Sequence, residues 1–142
     1  MAAAKMVVAE LEQFLRAEFP EAFGNGGTTI ERADGQSCLV RERYHRGMLR
    51  PGGTVSGPTL MALADCAMYV VLLSAIGPVG LAVTTNLNIN FLRKGAPGHD
   101  IIAAARLLKL GKRLAVGEVE LLSSGSAEPI AHVTATYSIP DK

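Results

Sequence analysis

The sequence predicts an α+β protein in which an antiparallel β-sheet wraps around one long central helix. Three observations carry that expectation. Residues 58–76 read PTLMALADCAMYVVLLSAI, a run of helical length that is too apolar for a surface position. After Gly77-Pro78 the hydrophobic period changes from helical to two and stays there to residue 139. The strand patterns after the helix are joined by short Gly-containing turns, which favours antiparallel neighbours.

Length and composition allow this design. A chain of 142 residues fits one domain, 1–142, with a real core. Aromatic residues make up 5% and Trp is absent, so the core must be aliphatic. A formal net charge of +1 gives no global attraction to nucleic acid or to an anionic membrane. Cys38 and Cys66 are too few for a disulfide framework and lack metal-ligand spacing. The opening MAAAKMVVAELEQF has too short an apolar run for a secretory signal and too many acids for a transit peptide, so a cytoplasmic protein is expected. The 58–76 run is long enough to cross a bilayer, but Asp65 lies in its middle and amphipathic strands follow, which favours a buried core helix.

The elements follow in order. An N-terminal helix is expected within residues 1–20, because Val7, Val8, Leu11, Phe14, Leu15 and Phe19 recur at helical spacing before Pro20 stops it. Asn25-Gly26-Gly27 reads as a turn. Strands over 28–32 and 36–44 flank Ala33-Asp34-Gly35, whose Asp-Gly pair signals a hairpin. A loop then leads through Pro51-Gly52-Gly53-Thr54-Val55-Ser56-Gly57 to the central helix over 57–76, with Gly57 as N-cap and Pro58 at the first position. Strands are expected over 83–92, 100–110, 113–122 and 130–139. In the first, Val83, Thr85, Leu87, Ile89 and Phe91 share one face, and Thr84, Asn86, Asn88 and Asn90 the other. In the last, Ala131, Val133, Ala135, Tyr137 and Ile139 should face inward.

Asp65 is the only charged residue in the apolar helix. A buried, unpaired carboxylate costs several kcal/mol, so such a group is paired, neutralised or functional. The Gly57-Pro58 start of the same helix offers free amides and a positive dipole end, suited to a developing oxyanion. Asp65 is then a candidate general base or nucleophile, and Gly57 a candidate oxyanion donor. Eight positions of one helix separate them by about 12 Å, too far to share one carbonyl. Two copies with antiparallel helices would bring Gly57 of one beside Asp65 of the other, so a homo-oligomer with sites between subunits is expected.

The residues Gly53-Thr54-Val55-Ser56-Gly57 with Leu60-Met61-Ala62-Leu63-Ala64-Asp65-Cys66-Ala67, the strand Val83–Leu92 and the turn Gly111-Lys112-Arg113 together resemble the hotdog-fold thioesterases, in particular their PaaI-like branch. The resemblance covers roughly residues 37–139 and rests on the order and spacing of these motifs. It implies a hotdog fold, hydrolysis of an acyl-CoA thioester to free acid and CoA, no metal and no redox cofactor, and a tetramer, a dimer of the dimers that the helix geometry already leads one to expect. It carries the helix-start glycine onto Gly57, the acid onto Asp65 and a hydroxyl of some family sites onto Thr84. Three positions depart from it: the family histidine is Ser56, its second glycine is Pro58, and its asparagine is Arg50. Those departures favour one other reading, a non-catalytic acyl-CoA-binding hotdog protein; a hydratase or dehydratase on the same fold is a further alternative, but such relatives need a loop histidine and none sits near Gly57.

Further candidates follow from chemistry. Arg50, Arg93-Lys94 and Arg113 are cations near turns or strand ends and suit the phosphates of coenzyme A. Arg41, Arg43 and Arg46 cluster near Arg50 with Tyr44 and His45. Met61 and Met68 flank Asp65 on its helix and are core residues or walls of an acyl slot. His45, His99 and His132 show no metal spacing, His132 falls on an outward strand position, and Cys66 has no evident base partner.

Overall fold

A computed structural model describes residues 4–23 and 27–141. The expected turn at Asn25-Gly26 lies outside the described residues. Two helices, α1 (Val8–Glu18) and α2 (Pro20–Phe23), precede the strands β1 (Thr28–Ala33) and β2 (Ser37–Glu42). A short 3-10 turn, Arg46–Met48, leads to α3 (Gly57–Ile76). The remaining strands are β3 (Val83–Phe91), β4 (Ile101–Leu110), β5 (Leu114–Ser123) and β6 (Pro129–Ser138). Pro20 ends the first helix as expected but also opens α2. Its fixed φ suits a first helical turn, a use the sequence reading did not assign.

All six strands form one antiparallel sheet in the order β1-β2-β4-β5-β6-β3. The expected hairpin joins β1 to β2. Asp34 closes it by accepting from the backbone N–H groups of Gln36 and Ser37 at 2.9 and 2.7 Å, and these bonds lower its pKa. α3 lies across the sheet, which makes the hotdog architecture.

The helix is buried on the sheet side by Leu60, Leu63, Ala64, Ala67, Met68 and Val71, and its C-terminal half is buried nearly all round. Helix and sheet approach closely because the facing strand positions are small: Ala103, Ala105, Ala115 and Ala135 are almost fully buried. Gly117 is the extreme case. A Cβ there would sit 2.5 Å from Met68 Sδ and 2.8 Å from the Arg106 carbonyl oxygen. Met68 therefore fills the core opposite Gly117, the first of the two places expected for it. The length and apolarity that raised the question of a membrane span are accounted for by this burial: 61% of the most apolar window lies inside the fold.

One stripe of α3 stays uncovered. Pro58, Met61, Ala62, Asp65, Cys66 and Tyr69 are half-buried or exposed, and their spacing places them on a single helix face. β3 is the sheet edge beside the same region, with Phe91 54% and Val83 57% exposed. The opposite edge strand, β1, is covered by α1, whose Leu11 and Leu15 are fully buried and whose Glu12 carboxylate accepts from Ile30 N–H at 3.3 Å.

Candidate active site

Both ends of the uncovered stripe carry polar chemistry. The first end is the start of α3. Ser56 is the N-cap, not Gly57 as the sequence reading expected: its Oγ accepts from Thr59 N–H at 3.2 Å and shares a hydrogen bond with Thr59 Oγ1 at 2.8 Å. A hydroxyl one residue earlier reaches the orphan amide that a glycine cannot. The hydroxyl of Ser56 is thereby engaged in holding the helix.

This cap leaves one donor over. Thr59 N–H is taken by the Ser56 side chain, Leu60 N–H donates to the Ser56 carbonyl at 3.2 Å, and Pro58 has no N–H. Gly57 N–H alone has no acceptor in the first turn among the described residues. The Phe91 ring packs over the same residue, and a Cβ on Gly57 would come within 3.1 Å of Phe91 Cζ. A cavity of 450 Å³ opens here, lined by Gly57, Phe91, Arg50, Arg93 and Lys94. The structure thus brings Arg50, Arg93 and Lys94 together with Gly57. Arg93 is already bound to Glu128 at 2.8 Å and to the Pro129 carbonyl at 2.7 Å. Arg50 and Lys94 have no ion pair among the described residues.

The second end is Asp65. It is half-buried and partnered rather than alone. Thr84 Oγ1 donates to Oδ1 at 2.6 Å, and the Tyr137 hydroxyl lies 2.7 Å from the same oxygen and 3.1 Å from the Asp65 carbonyl oxygen. Thr84 reaches the helix because the β3–β6 register shifts between Thr84 and Asn86. That irregularity turns Thr84 to the side of Leu87 and Ile89, against the expected alternation. Tyr137 lies inward as expected, but its hydroxyl was not recognised as part of a site. Burial raises its phenol pKa, Thr84 opposes this, and the Asp65 charge adds to it, so the group stays a proton donor.

A second cavity, of 590 Å³, adjoins this end. Phe14 and Phe19 from the N-terminal segment face Tyr69, Tyr137 and Thr84 across it. Tyr69 stacks on Tyr137 with ring centroids 6.1 Å apart and donates to the Gly80 carbonyl at 2.9 Å. The N-terminal helix therefore walls a cavity beside the acid. Its apolar periodicity was legible, but nothing in it indicated which element it would cover.

The remaining candidates separate. Met61 is 40% exposed on the uncovered stripe. Arg113 pairs with Asp141 at 3.7 Å, is highly exposed, and lines neither cavity. Arg41 is committed to Asp100 at 2.9 Å and to Glu31 at 3.2 Å. Asp100 also accepts from Tyr44 N–H at 2.8 Å, and that bond and the Arg41 contact hold its pKa low. His45 pairs with Glu42 at 3.0 Å and His132 with Glu118 at 3.2 Å. Burial, with the charges of Asp65 and Glu42, pushes the Cys66 thiol up to about 12, which removes it as a nucleophile near neutral pH. No cluster of three potential metal ligands occurs among the described residues.

The fold and site define a class, and comparison agrees with it. The profile of the thioesterase superfamily matches residues 52–130, which span α3 and the strands β3, β4 and β5. The chain belongs to that superfamily, and thioester hydrolysis is the activity this membership supports. A crystal structure of a proposed thioesterase from Silicibacter sp. TM1040 is 41% identical, with a TM-score of 0.88, over 97% of this chain and 94% of that one. PaaI of E. coli, from the phenylacetic acid degradation operon, is 22% identical with a TM-score of 0.79 over 96% and 97%. Zebrafish thioesterase superfamily member 2 is 20% identical with a TM-score of 0.84 over 96% and 100%. These two share the fold. No curated protein gives a significant sequence match.

Proposed function

We propose that the chain hydrolyses an acyl-CoA thioester at a site shared by two copies of itself. The observation that carries this reading is the split along one uncovered helix face. A half-buried acid beside an aromatic cavity lies at one end, and an unused amide beside a basic cavity lies at the other. Within one copy, the eight-position step from Gly57 to Asp65 along α3 separates the two by about 12 Å. Pairing of two copies through β3, with their α3 helices antiparallel, joins the acid of each to the amide of the other. Exposed Phe91, Val83 and Met61 provide apolar surface for that contact.

In this arrangement the acyl group enters the cavity of Phe14, Phe19 and Tyr69, and the thioester carbonyl rests against Gly57 N–H of the second copy. Asp65 accepts a proton from water as the water oxygen bonds to the carbonyl carbon. The oxyanion receives the Gly57 amide and the helix dipole. Collapse breaks the carbon–sulfur bond, and the proton held by Asp65 passes to the departing thiolate. The phosphates of CoA meet Arg50 and Lys94. The reaction needs no oxidant or reductant, and its residues act without a bound cofactor. Ser56 and Arg50 at the family's histidine and asparagine positions keep one second reading open, a protein that binds the ester without cleaving it.

The deciding experiment is thiol release from acetyl-, hexanoyl-, palmitoyl- and benzoyl-CoA. Turnover of any of them at enzymatic rates supports the hydrolase. Tight binding by calorimetry with no release supports the binding protein. The basic cavity has its own test. Arg50→Glu with Lys94→Glu should raise KM about tenfold, as expected for lost phosphate contacts at a partly exposed site, with kcat little changed. An unchanged KM removes these residues from CoA recognition. Arg93, held by Glu128, should matter less.

A further inference from the structure

The two oxygens of the Asp65 carboxylate have unequal surroundings. Oδ1 has the Thr84 hydroxyl at 2.6 Å and the Tyr137 hydroxyl at 2.7 Å. Among the described residues, nothing donates to Oδ2. Both contacts are short, in the range of hydrogen bonds to a charged oxygen. Their donors come from adjacent strands, since Thr84 pairs directly with Tyr137 across β3 and β6. One sheet position therefore presents two hydroxyls to one oxygen.

Tyr137 is held firmly enough to act as a clamp. It is 4% exposed, and its ring lies against Tyr69 with 20° between the ring planes. Tyr69 is in turn fixed by its own hydroxyl on the Gly80 carbonyl, in the loop that leads to β3. The phenol has a second acceptor, the Asp65 carbonyl at 3.1 Å, which ties it to the helix backbone as well as to the side chain. A carboxylate without such partners rotates about its last bond and offers either oxygen. Two donors on one oxygen remove that freedom and commit the other.

We propose that Tyr137, together with Thr84, is a positioning residue that ties down Oδ1 and leaves Oδ2 as the single oxygen that takes the proton from water. This rests on the general-base role of Asp65. Tyr137 does not touch the reacting atoms; it acts through the acid. Its ring also walls the aromatic cavity, so the same side chain fixes the base and borders the acyl group.

Tyr137→Phe tests the clamp, because it keeps the ring and the stack on Tyr69 and removes only the hydroxyl. On the acyl-CoA turned over fastest, kcat should fall about ten- to a hundredfold while KM stays within about twofold, the loss expected for one hydrogen bond to a charged group felt in the chemical step. Thr84→Val should behave alike. The double variant should lose more than the product of the two single losses, since each hydroxyl alone still restrains Oδ1. A purely structural tyrosine would lower the melting temperature and leave kcat intact. Wild-type kcat in Tyr137→Phe, beside an inactive Asp65→Asn, overturns the clamp and spares the base. Full activity in Asp65→Asn overturns the base itself, and an inactive wild-type protein overturns the hydrolase reading with both. If Tyr137→Phe does not fold, Thr84→Val decides alone, and normal kcat there refutes the clamp.

Discussion

Asp65→Asn is expected to reduce kcat by about a thousandfold, within the range set by loss of a general base, with KM nearly unchanged. The substitution is chosen because it isolates basicity. An asparagine Oδ1 can still accept from Thr84 and Tyr137 at the positions now 2.6 and 2.7 Å away, so the local network and the fold should survive. What is lost is a group able to take a proton from water. Folding should be unaffected or slightly favoured, because a half-buried charge in an apolar helix is replaced by a neutral amide. Steady-state thiol release and a thermal melt on the same preparation measure both. An Asp65→Asn protein that melts normally and hydrolyses normally assigns the carboxylate to structure alone.

Ala62→Arg should be nearly as damaging without touching either half-site. Ala62 is exposed on the uncovered face of α3, one turn before Asp65. Arginine is a good helix former, and an exposed position has room for it within one copy, so the fold should remain. In the proposed dimer, with α3 packed antiparallel against its copy, no such room is expected. The side chain would separate the helices and place a charge in an apolar contact. The expected result is a folded monomer with hydrolysis reduced at least about a hundredfold, because an acid without the facing amide loses the oxyanion contribution. Sedimentation and thiol release on the same sample check it. A monomer that keeps wild-type activity would show that one copy suffices.

The major elements were legible in the sequence because their signals are local. The apolar run with a proline near its start and Gly77 at its end gave the bounds of α3 as observed. Period-two alternation located four strands to within a residue or two at either end. Asp65 stood out because a single charge interrupts that apolar run. The rest depended on what packs against what. Tyr137 read as a core residue because its inward phase is all that β6 reveals; its hydroxyl acquires a use only when β6 lies under Asp65. Thr84 was placed on the wrong face by simple alternation, since a register shift in a strand leaves no mark in its composition. Met68 has the right spacing for an acyl slot but faces Gly117, which leaves space for it in the core. The Ser56 cap was missed because glycine next to proline is itself a common helix start.

The proposed oligomeric site also rests on helix geometry rather than on any motif. The rise along α3 keeps Gly57 and Asp65 of one copy apart, while the uncovered stripe and the open β3 edge leave both available to a second copy. Mixing two inactive variants probes this most directly. Gly57→Pro removes the unused N–H. Ser56 already has φ −75° and ψ 151°, a conformation that tolerates a following proline. Combined with Asp65→Asn under conditions that allow subunit exchange, half of the dimers become mixed, and each mixed dimer rebuilds one intact site from two damaged chains. Activity should rise to about a quarter of wild type from two nearly inactive parents, as random exchange between two-fold dimers requires. Activity that stays at the level of the parents after exchange, with mixed dimers demonstrated by mass, would contradict a site made by acid and amide from different copies.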